Sequence, residues 1–156
     1  RQSLQDVRKI IFDLRPMVLD DLGLVPAIKR YIEDIQGQCA LTVEMVVIGN
    51  PRRFSLTTEV AMFRIMQECL NNIRKHAQAN LASVKLEFYN NKLNAVVKDN
   101  GVGFHPGDLM HGGEKECFGI LGMRERAQIL KGEINIVSAP GQGTSVNISV
   151  PLEGEE

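Results

Sequence analysis

Two pairs of short segments with alternating apolar residues, each pair joined by a tight turn, constrain the fold of this chain most. The pairs are 82–89 with 92–98 around Asn90-Asn91, and 133–138 with 144–151 around Gly141-Gln142-Gly143. Such alternation is typical of strands that bury one face. Asn and Gly tolerate the positive φ angles of tight turns, so each pair is predicted to form a β-hairpin.

Helical spacing of apolar residues predicts four helices, and one further strand precedes the hairpins. The helices cover 4–14, 24–35, 58–77 and 121–131, and the strand covers 41–48. Strands that arrive in hairpin pairs fit poorly to the strict alternation of a Rossmann-type fold. The order predicts an α+β fold, a two-layer α/β sandwich with a mixed, mainly antiparallel sheet covered on one face by about three helices.

Composition limits the function classes. The 156 residues are 44% hydrophobic, enough for one core, and their formal net charge of −1 gives no electrostatic reason to expect direct nucleic-acid binding. The three cysteines are widely spaced, which argues against a disulfide framework or a zinc site and favours a cytoplasmic location. The chain begins at Arg1 inside a helical pattern, so we expect a piece of a longer protein that is cytosolic or membrane-anchored.

The helix predicted over 58–77 carries a polar row. Glu68 and Asn72 lie four residues apart, and Lys75 follows three residues later, so the three share one face. An amide oxygen suits Mg²⁺, an ammonium group suits phosphate, and a carboxylate can orient or deprotonate a nucleophile. Taken alone, the row is more simply a solvated face whose members bond to one another.

A strand ends in the sequence DNGVGF, residues 99–104, which combines a carboxylate with two glycines. Asp99 can accept a hydrogen bond from an exocyclic amine. Gly101 and Gly103 allow close approach to the main chain. A tight turn with two glycines is the simpler explanation of this motif alone.

Two more glycine-containing stretches follow. Gly119 and Gly122 flank the predicted helix start, where unpaired N–H groups favour an anion, and the polar loop 106–117 before them could close as a lid. In GQGTSV, residues 141–146, Thr144 could offer its hydroxyl to a ring nitrogen, directly or through water. Ordinary glycine-rich turns explain both stretches equally well.

The combination is more specific than its parts. QECLNNIRKHA (67–77), DNGVGF (99–104), GILGMRERA (119–127) and GQGTSV (141–146) resemble, in the same order, the N, G1, G2 and G3 boxes of histidine kinases. The chain is thereby similar to the ATP-binding domain of the GHKL superfamily of gyrases, heat-shock chaperones, histidine kinases and mismatch-repair ATPases. The resemblance implies the Bergerat form of the sandwich, with ATP and Mg²⁺ as ligands.

The resemblance also implies residue roles. Asp99 would hold the adenine amine with Thr144 beside it, and Gly101 and Gly103 would leave room for the nucleotide. Either Asn71 or Asn72 could bind Mg²⁺; Asn72 is preferred because it lies four residues after Glu68, the acidic helper of phosphoryl transfer. The expected phosphate side of the site comprises Lys75, Gly119, Leu121 and Gly122, with the N-box residue His76 next to it.

Residues 7–28, VRKIIFDLRPMVLDDLGLVPAI, resemble NarL/DegS-type sensor kinases. This implies a dimerisation hairpin and linker ending at 1–20, a catalytic domain at 21–152 and a disordered tail at 153–156. His76, His105 and His111 do not match a phosphoacceptor motif, so the accepting histidine is expected on a hairpin helix outside this chain. The implied partners are that hairpin, a second copy of the full-length protein and a response regulator with a LuxR-type DNA-binding domain.

Two alternatives stay open at this point. An anti-sigma-factor-type serine kinase resembles the same superfamily but would lack the 7–28 approach segment. A nucleotide-responsive binding module without transferase activity belongs to another class. Magnesium-dependent transfer of phosphate to a supplied histidine helix would exclude the binding module.

Overall fold

A computed structural model describes residues 17–105 and 114–152, with the backbone alone over 114–118. The helices are α1 (Met17–Leu22), α2 (Leu24–Gln38), α3 (Leu56–Asn72) and α4 (Glu114–Ile129). The strands are β1 (Thr42–Ile48), β2 (Leu81–Phe88), β3 (Lys92–Asp99), β4 (Glu133–Ser138) and β5 (Thr144–Pro151). Helix α3 continues directly into a π-helical turn, Ile73–Ala77.

The five strands form one sheet in the order β1-β2-β3-β5-β4. Strands β1 and β2 are parallel, and the other three pairings are antiparallel. The turn at Asn90-Asn91 closes with a 2.9 Å hydrogen bond from the Tyr89 N–H to the Lys92 carbonyl. The predicted hairpins and the mixed, mainly antiparallel sheet are confirmed.

The strand pattern explains which side of the sheet carries the core. Leu93, Ala95 and Val97 on β3 are at most 1% exposed, because alternate residues point to the face that the helices cover. Helices α2 and α3 pack over it with their apolar faces, and the ring of Tyr31 meets that of Phe63 edge-on at 6.1 Å. Burial of these apolar side chains is the main force that holds the two layers together.

Two features of the helices differ from the sequence prediction. The short α1 was not predicted, although its Leu19 is fully buried in the core. The predicted start of the last helix at 121 is wrong, since α4 begins at Glu114. Gly119 and Gly122 suggested a boundary, but a glycine inside a helix costs only about 1 kcal/mol and packing overrides it.

Some expectations fall on residues that the structure does not describe. These are the helix 4–14, the greater part of the lid 106–117 and the tail 153–156. The boundary predicted between 20 and 21 falls within α1.

Candidate functional site

A cavity of about 170 Å³ lies where the end of α3 and its π turn meet the end of β3, the start of β5, the middle of α4 and Ile136 of β4. Segments from all four predicted motifs contribute to its wall. The lining residues are Cys69, Asn72, Ile73, His76, Ala77, Val97, Asp99, Val102, Gly103, Phe104, Ile120, Met123, Ile136, Thr144 and Val146. Of the predicted site residues, the structure thus brings together Asn72, His76, Asp99, Gly103 and Thr144.

Asp99 is the only carboxylate among the described residues that line this cavity. It ends β3 and pairs with Ala82 on one side and Thr144 on the other. Partial burial raises its pKa, while bonds from the backbone N–H groups of Gly101, at 2.8 Å, and Thr144 act in the opposite direction. The result is a fixed hydrogen-bond acceptor in a cavity whose lining is mainly apolar.

The two glycines after Asp99 make room for the protein's own main chain. A Cβ at Gly101 would collide with the carbonyl of Ala77, and one at Gly103 with the carbonyl of Ala139. Gly103 also has φ +65°, which few side chains tolerate. The Val102 N–H donates to Ala77 O at 2.8 Å, so this loop is fastened to the π turn that carries His76.

Asn100 has a structural role that the sequence did not indicate. Its Oδ1 accepts from the N–H groups of Asn80 (3.2 Å) and Leu81 (3.1 Å), and its Nδ2 donates to the Asn80 side chain at 2.6 Å. The side chain therefore holds the loop after Asp99 against the start of β2.

The two adjacent asparagines at the end of α3, Asn71 and Asn72, have different surroundings. Asn72 lines the cavity, whereas the Asn71 Oδ1 accepts a 2.6 Å bond from Arg74. Lys75 is exposed on the π turn and is not among the described lining residues. Glu68 lies one turn before Asn72 and touches Gly119 of α4, where its carboxylate occupies the space of a side chain.

The glycines of α4 lie inside that helix and not at its start. Gly119, Leu121 and Gly122 therefore do not offer the unpaired N–H groups on which their predicted phosphate contact depended. Leu121 is half exposed, and the cavity is instead lined by Ile120 and Met123. The phosphate role of the three residues stays a prediction from the family pattern.

The apolar floor of the cavity was missed at the sequence level. Val97 and Val146 lie on the same strand faces as Asp99 and Thr144, two residues away, so strand alternation could have identified them. The Cys69 thiol lies 3.5 Å from the Met123 sulfur. Burial, aided by the charge of Glu68, raises the pKa of Cys69 to about 12, so this thiol stays protonated.

Within the described residues, no three His, Cys, Asp or Glu side chains cluster as a metal site. A metal held mainly by protein carboxylates does not fit this part of the chain. A hard cation that keeps several waters and takes one amide oxygen from Asn72 does fit, provided that the ligand supplies further oxygens.

The arrangement suits a planar ring with an amino group joined to an anionic tail. The apolar floor can contact the ring, Asp99 can accept from the amine, and Asn72 offers an amide oxygen to the same cavity. A model for the family described as histidine kinase-, DNA gyrase B- and HSP90-like ATPase matches residues 57–154. The chain belongs to this family. The resemblance drawn from the four motifs is confirmed, and the chain carries an ATP-binding domain of this family.

Relatives of this ATPase domain are bacterial sensor kinases. It is 43% identical over 156 residues to the signal transduction histidine-protein kinase/phosphatase DegS of Brevibacillus brevis, covering 100% of this chain and 39% of that protein. It is 40% identical over 143 residues to DegS of Bacillus subtilis (strain 168), covering 88% and 36%. The chain therefore spans less than two fifths of these relatives, at 39% and 36%.

The fold of the ATPase domain also matches solved structures. The histidine kinase domain from the blue-light activated histidine kinase of Erythrobacter litoralis EL346 superimposes with a TM-score of 0.61 at 24% identity, over 80% of this chain and 59% of that one. The predicted α+β sandwich is confirmed. Among the described helices, none has the length and apolar character that crossing a membrane requires.

Proposed function

We propose that this domain transfers the γ-phosphoryl group of ATP to a histidine on a dimerisation helix outside the chain. The observation that supports this most is the convergence of Asn72, Asp99 and Thr144 on one cavity, with Glu68 one helical turn away. Adenine binds at Asp99, and the phosphates extend toward Asn72. Catalysis then rests on positioning and on electrostatic stabilisation of the transferred group.

In the reaction, an imidazole nitrogen forms a bond to the γ-phosphorus. The bond between the γ-phosphorus and the β–γ bridging oxygen breaks, and ADP leaves. Glu68 is the candidate to orient the imidazole and to take its proton. Lys75 has an exposed side chain whose flexible stem carries an ammonium group, and this group is the candidate cation for the phosphates. Mg²⁺ would be held by the Asn72 amide oxygen and would supply charge neutralisation of the phosphates.

The proposed partners follow from the relatives. A response regulator, expected to be of the NarL/LuxR type, receives the phosphoryl group on an aspartate, and the full-length protein is a homodimer. Direct nucleic-acid binding is not proposed for this domain. Its place is the cytoplasm, where ATP is available, whether the full-length protein is cytosolic or membrane-anchored. The relatives reported above are histidine kinases, which favours this function over a serine kinase.

The first test is calorimetric titration of ATP with Mg²⁺ into the 156-residue chain and into Asp99→Asn. Loss of a charge-assisted bond to the amine should weaken binding about ten- to a hundredfold. Equal affinities would remove Asp99 as the adenine anchor. Absence of binding to either protein would refute the ATP site.

A second test addresses transfer and excludes the binding-module alternative. The histidine helix of the full-length protein is supplied in trans with labelled ATP and Mg²⁺. We expect labelling of that helix, and a large loss of its rate in Glu68→Gln with little change in ATP affinity. A domain that binds ATP but never labels the helix would be a binding module.

A further inference from the structure

Ser138, at the end of β4, joins three segments of the cavity wall without lining the cavity. It is 8% exposed. Its hydroxyl oxygen accepts from the Phe104 N–H at 2.9 Å, donates to the Gly143 carbonyl at 3.1 Å and lies 2.9 Å from the Thr144 hydroxyl. One side chain thus connects the loop after Asp99, the β4–β5 turn and a residue of the wall.

The number of donors and acceptors on the Ser138 hydroxyl determines the direction of its bond with the Thr144 hydroxyl. A serine hydroxyl has one proton and two lone pairs. The Phe104 N–H can only donate and the Gly143 carbonyl can only accept, so together they use one lone pair and the proton of Ser138. The remaining lone pair must accept from Thr144 if all three contacts are satisfied, and buried polar groups are normally satisfied.

The consequence appears on the cavity side of Thr144. Once its proton is directed to Ser138, its oxygen presents lone pairs to the cavity. Asp99, the cross-strand neighbour of Thr144, is also an acceptor. Two adjacent acceptors favour a group with N–H donors and disfavour a carbonyl oxygen. A direct bond from Thr144 to a ring nitrogen, as the sequence suggested, does not fit because that nitrogen is itself an acceptor.

We propose that Ser138 is a positioning residue that turns the Thr144 hydroxyl into an acceptor and so makes the cavity select a 6-amino purine over a 6-oxo purine. This inference rests on the proposed ATP site. In Ser138→Ala, the Thr144 hydroxyl is released and can rotate to donate. It then tolerates an oxygen at position 6 of the ring.

The experiment measures the affinities of ATP and inosine triphosphate, each with Mg²⁺, for five proteins: wild type, Ser138→Ala, Ser138→Thr, Thr144→Val and the double variant Ser138→Ala/Thr144→Val. Wild type should prefer ATP. Ser138→Ala should lower the ratio of the two affinities by about tenfold, the worth of one reversed hydrogen bond. Adding Ser138→Ala to Thr144→Val should leave the ratio unchanged, because no hydroxyl remains to be oriented.

Three results would overturn the inference. Ser138→Ala could weaken both nucleotides equally, which would make Ser138 structural only. The double variant could differ in ratio from Thr144→Val. Ser138→Thr, which retains the hydroxyl, could fail to keep the wild-type ratio of the two affinities. If Ser138→Ala does not fold, Ser138→Cys, whose thiol is a weak donor and acceptor, should lower the ratio in the same direction.

Failure of the proposed function gives a different pattern. If the wild-type protein binds neither nucleotide, both the proposed ATP site and the role of Ser138 are refuted. A wild-type protein that binds ATP, with a ratio insensitive to Ser138, removes the inference alone.

Discussion

Arg53 and Glu59 form a two-point ion pair in which the carboxylate is buried and the guanidinium reaches the surface. Arg53 Nε lies 3.0 Å from Oε2 of Glu59, and Nη2 lies 3.1 Å from Oε1. The Glu59 side chain is 1% exposed. The same guanidinium donates to the carbonyls of Leu19 (3.3 Å) and Asp20 (3.0 Å), so the pair also ties α1 to the start of α3.

This asymmetry predicts unequal effects on stability. Arg53→Met leaves a buried carboxylate without its counter-charge and should lower Tm by about 5 °C or more. Glu59→Gln removes the charge but keeps an oxygen to accept from the Phe54 N–H, at 3.3 Å in the wild type, so its Tm should fall less. Thermal unfolding followed by circular dichroism measures both.

The matched control is Arg30→Met. Arg30 pairs with Asp34 at 3.8 Å on an exposed face of α2. Exposed pairs contribute little, so its Tm should change by no more than about 2 °C. Equal, small changes in all three variants would show that the Arg53–Glu59 pair does not stabilise the fold.

Asp99 should serve ligand binding at the expense of stability. Burial raises its pKa, so the folded protein prefers the protonated form more than the unfolded chain does. That preference stabilises the fold at low pH, and the contribution is lost as pH rises through the raised pKa. At neutral pH the ionised carboxylate of Asp99 therefore lowers the stability of the fold. Asp99→Asn should raise Tm in the absence of ligand while weakening ATP binding.

The pH dependence distinguishes this effect from simple repacking. The Tm difference between Asp99→Asn and wild type should narrow as pH falls through the raised pKa of Asp99, because the wild-type side chain then becomes neutral too. A difference in Tm that stays constant from neutral pH down to about pH 4 would contradict the electrostatic cause.

Local patterns in the sequence predicted the strands and the course of the chain near the cavity. The alternation of apolar residues predicted a strand at β3 that buries one face, and the motif order predicted that Asp99 and Asn72 belong to one site. Contacts between distant residues could not be predicted in this way. The bonds of Ser138 to Phe104 and of Asn100 to Asn80 depend on which segments the sheet brings together, and polar residues in turns carry no periodic signal.

Gly103 should be far less tolerant of substitution than Gly141, although both have positive φ, at +65° and +79°. A side chain at 103 meets the Ala139 carbonyl, whereas nothing lies within 4 Å of one at 141. Gly141→Ala therefore carries backbone strain alone, on the order of 1 kcal/mol. Gly103→Ala carries strain and a collision with the main chain.

We expect Gly141→Ala to fold and to bind ATP within about threefold of wild type, since roughly 0.7 kcal/mol corresponds to that factor. Gly103→Ala should lose most ATP binding and several degrees of Tm. Calorimetric titration and thermal unfolding of the pair provide the test. Similar behaviour of the two variants would mean that only the φ angle matters at 103.

Gly119→Ala tests whether the contact between α4 and Glu68 positions the carboxylate for catalysis. A Cβ at 119 takes the place of a Glu68 carboxylate oxygen, and the flexible end of that side chain can move away. Alanine also favours the helix by about 0.5–1 kcal/mol. We therefore expect Tm to hold or rise, ATP affinity to change little, and phosphoryl transfer to the supplied histidine helix to fall at least tenfold.

Gly37→Ala in α2, where a Cβ meets nothing within 4 Å, is the control and should raise Tm without affecting transfer. Unchanged transfer in Gly119→Ala would show that this contact does not position Glu68.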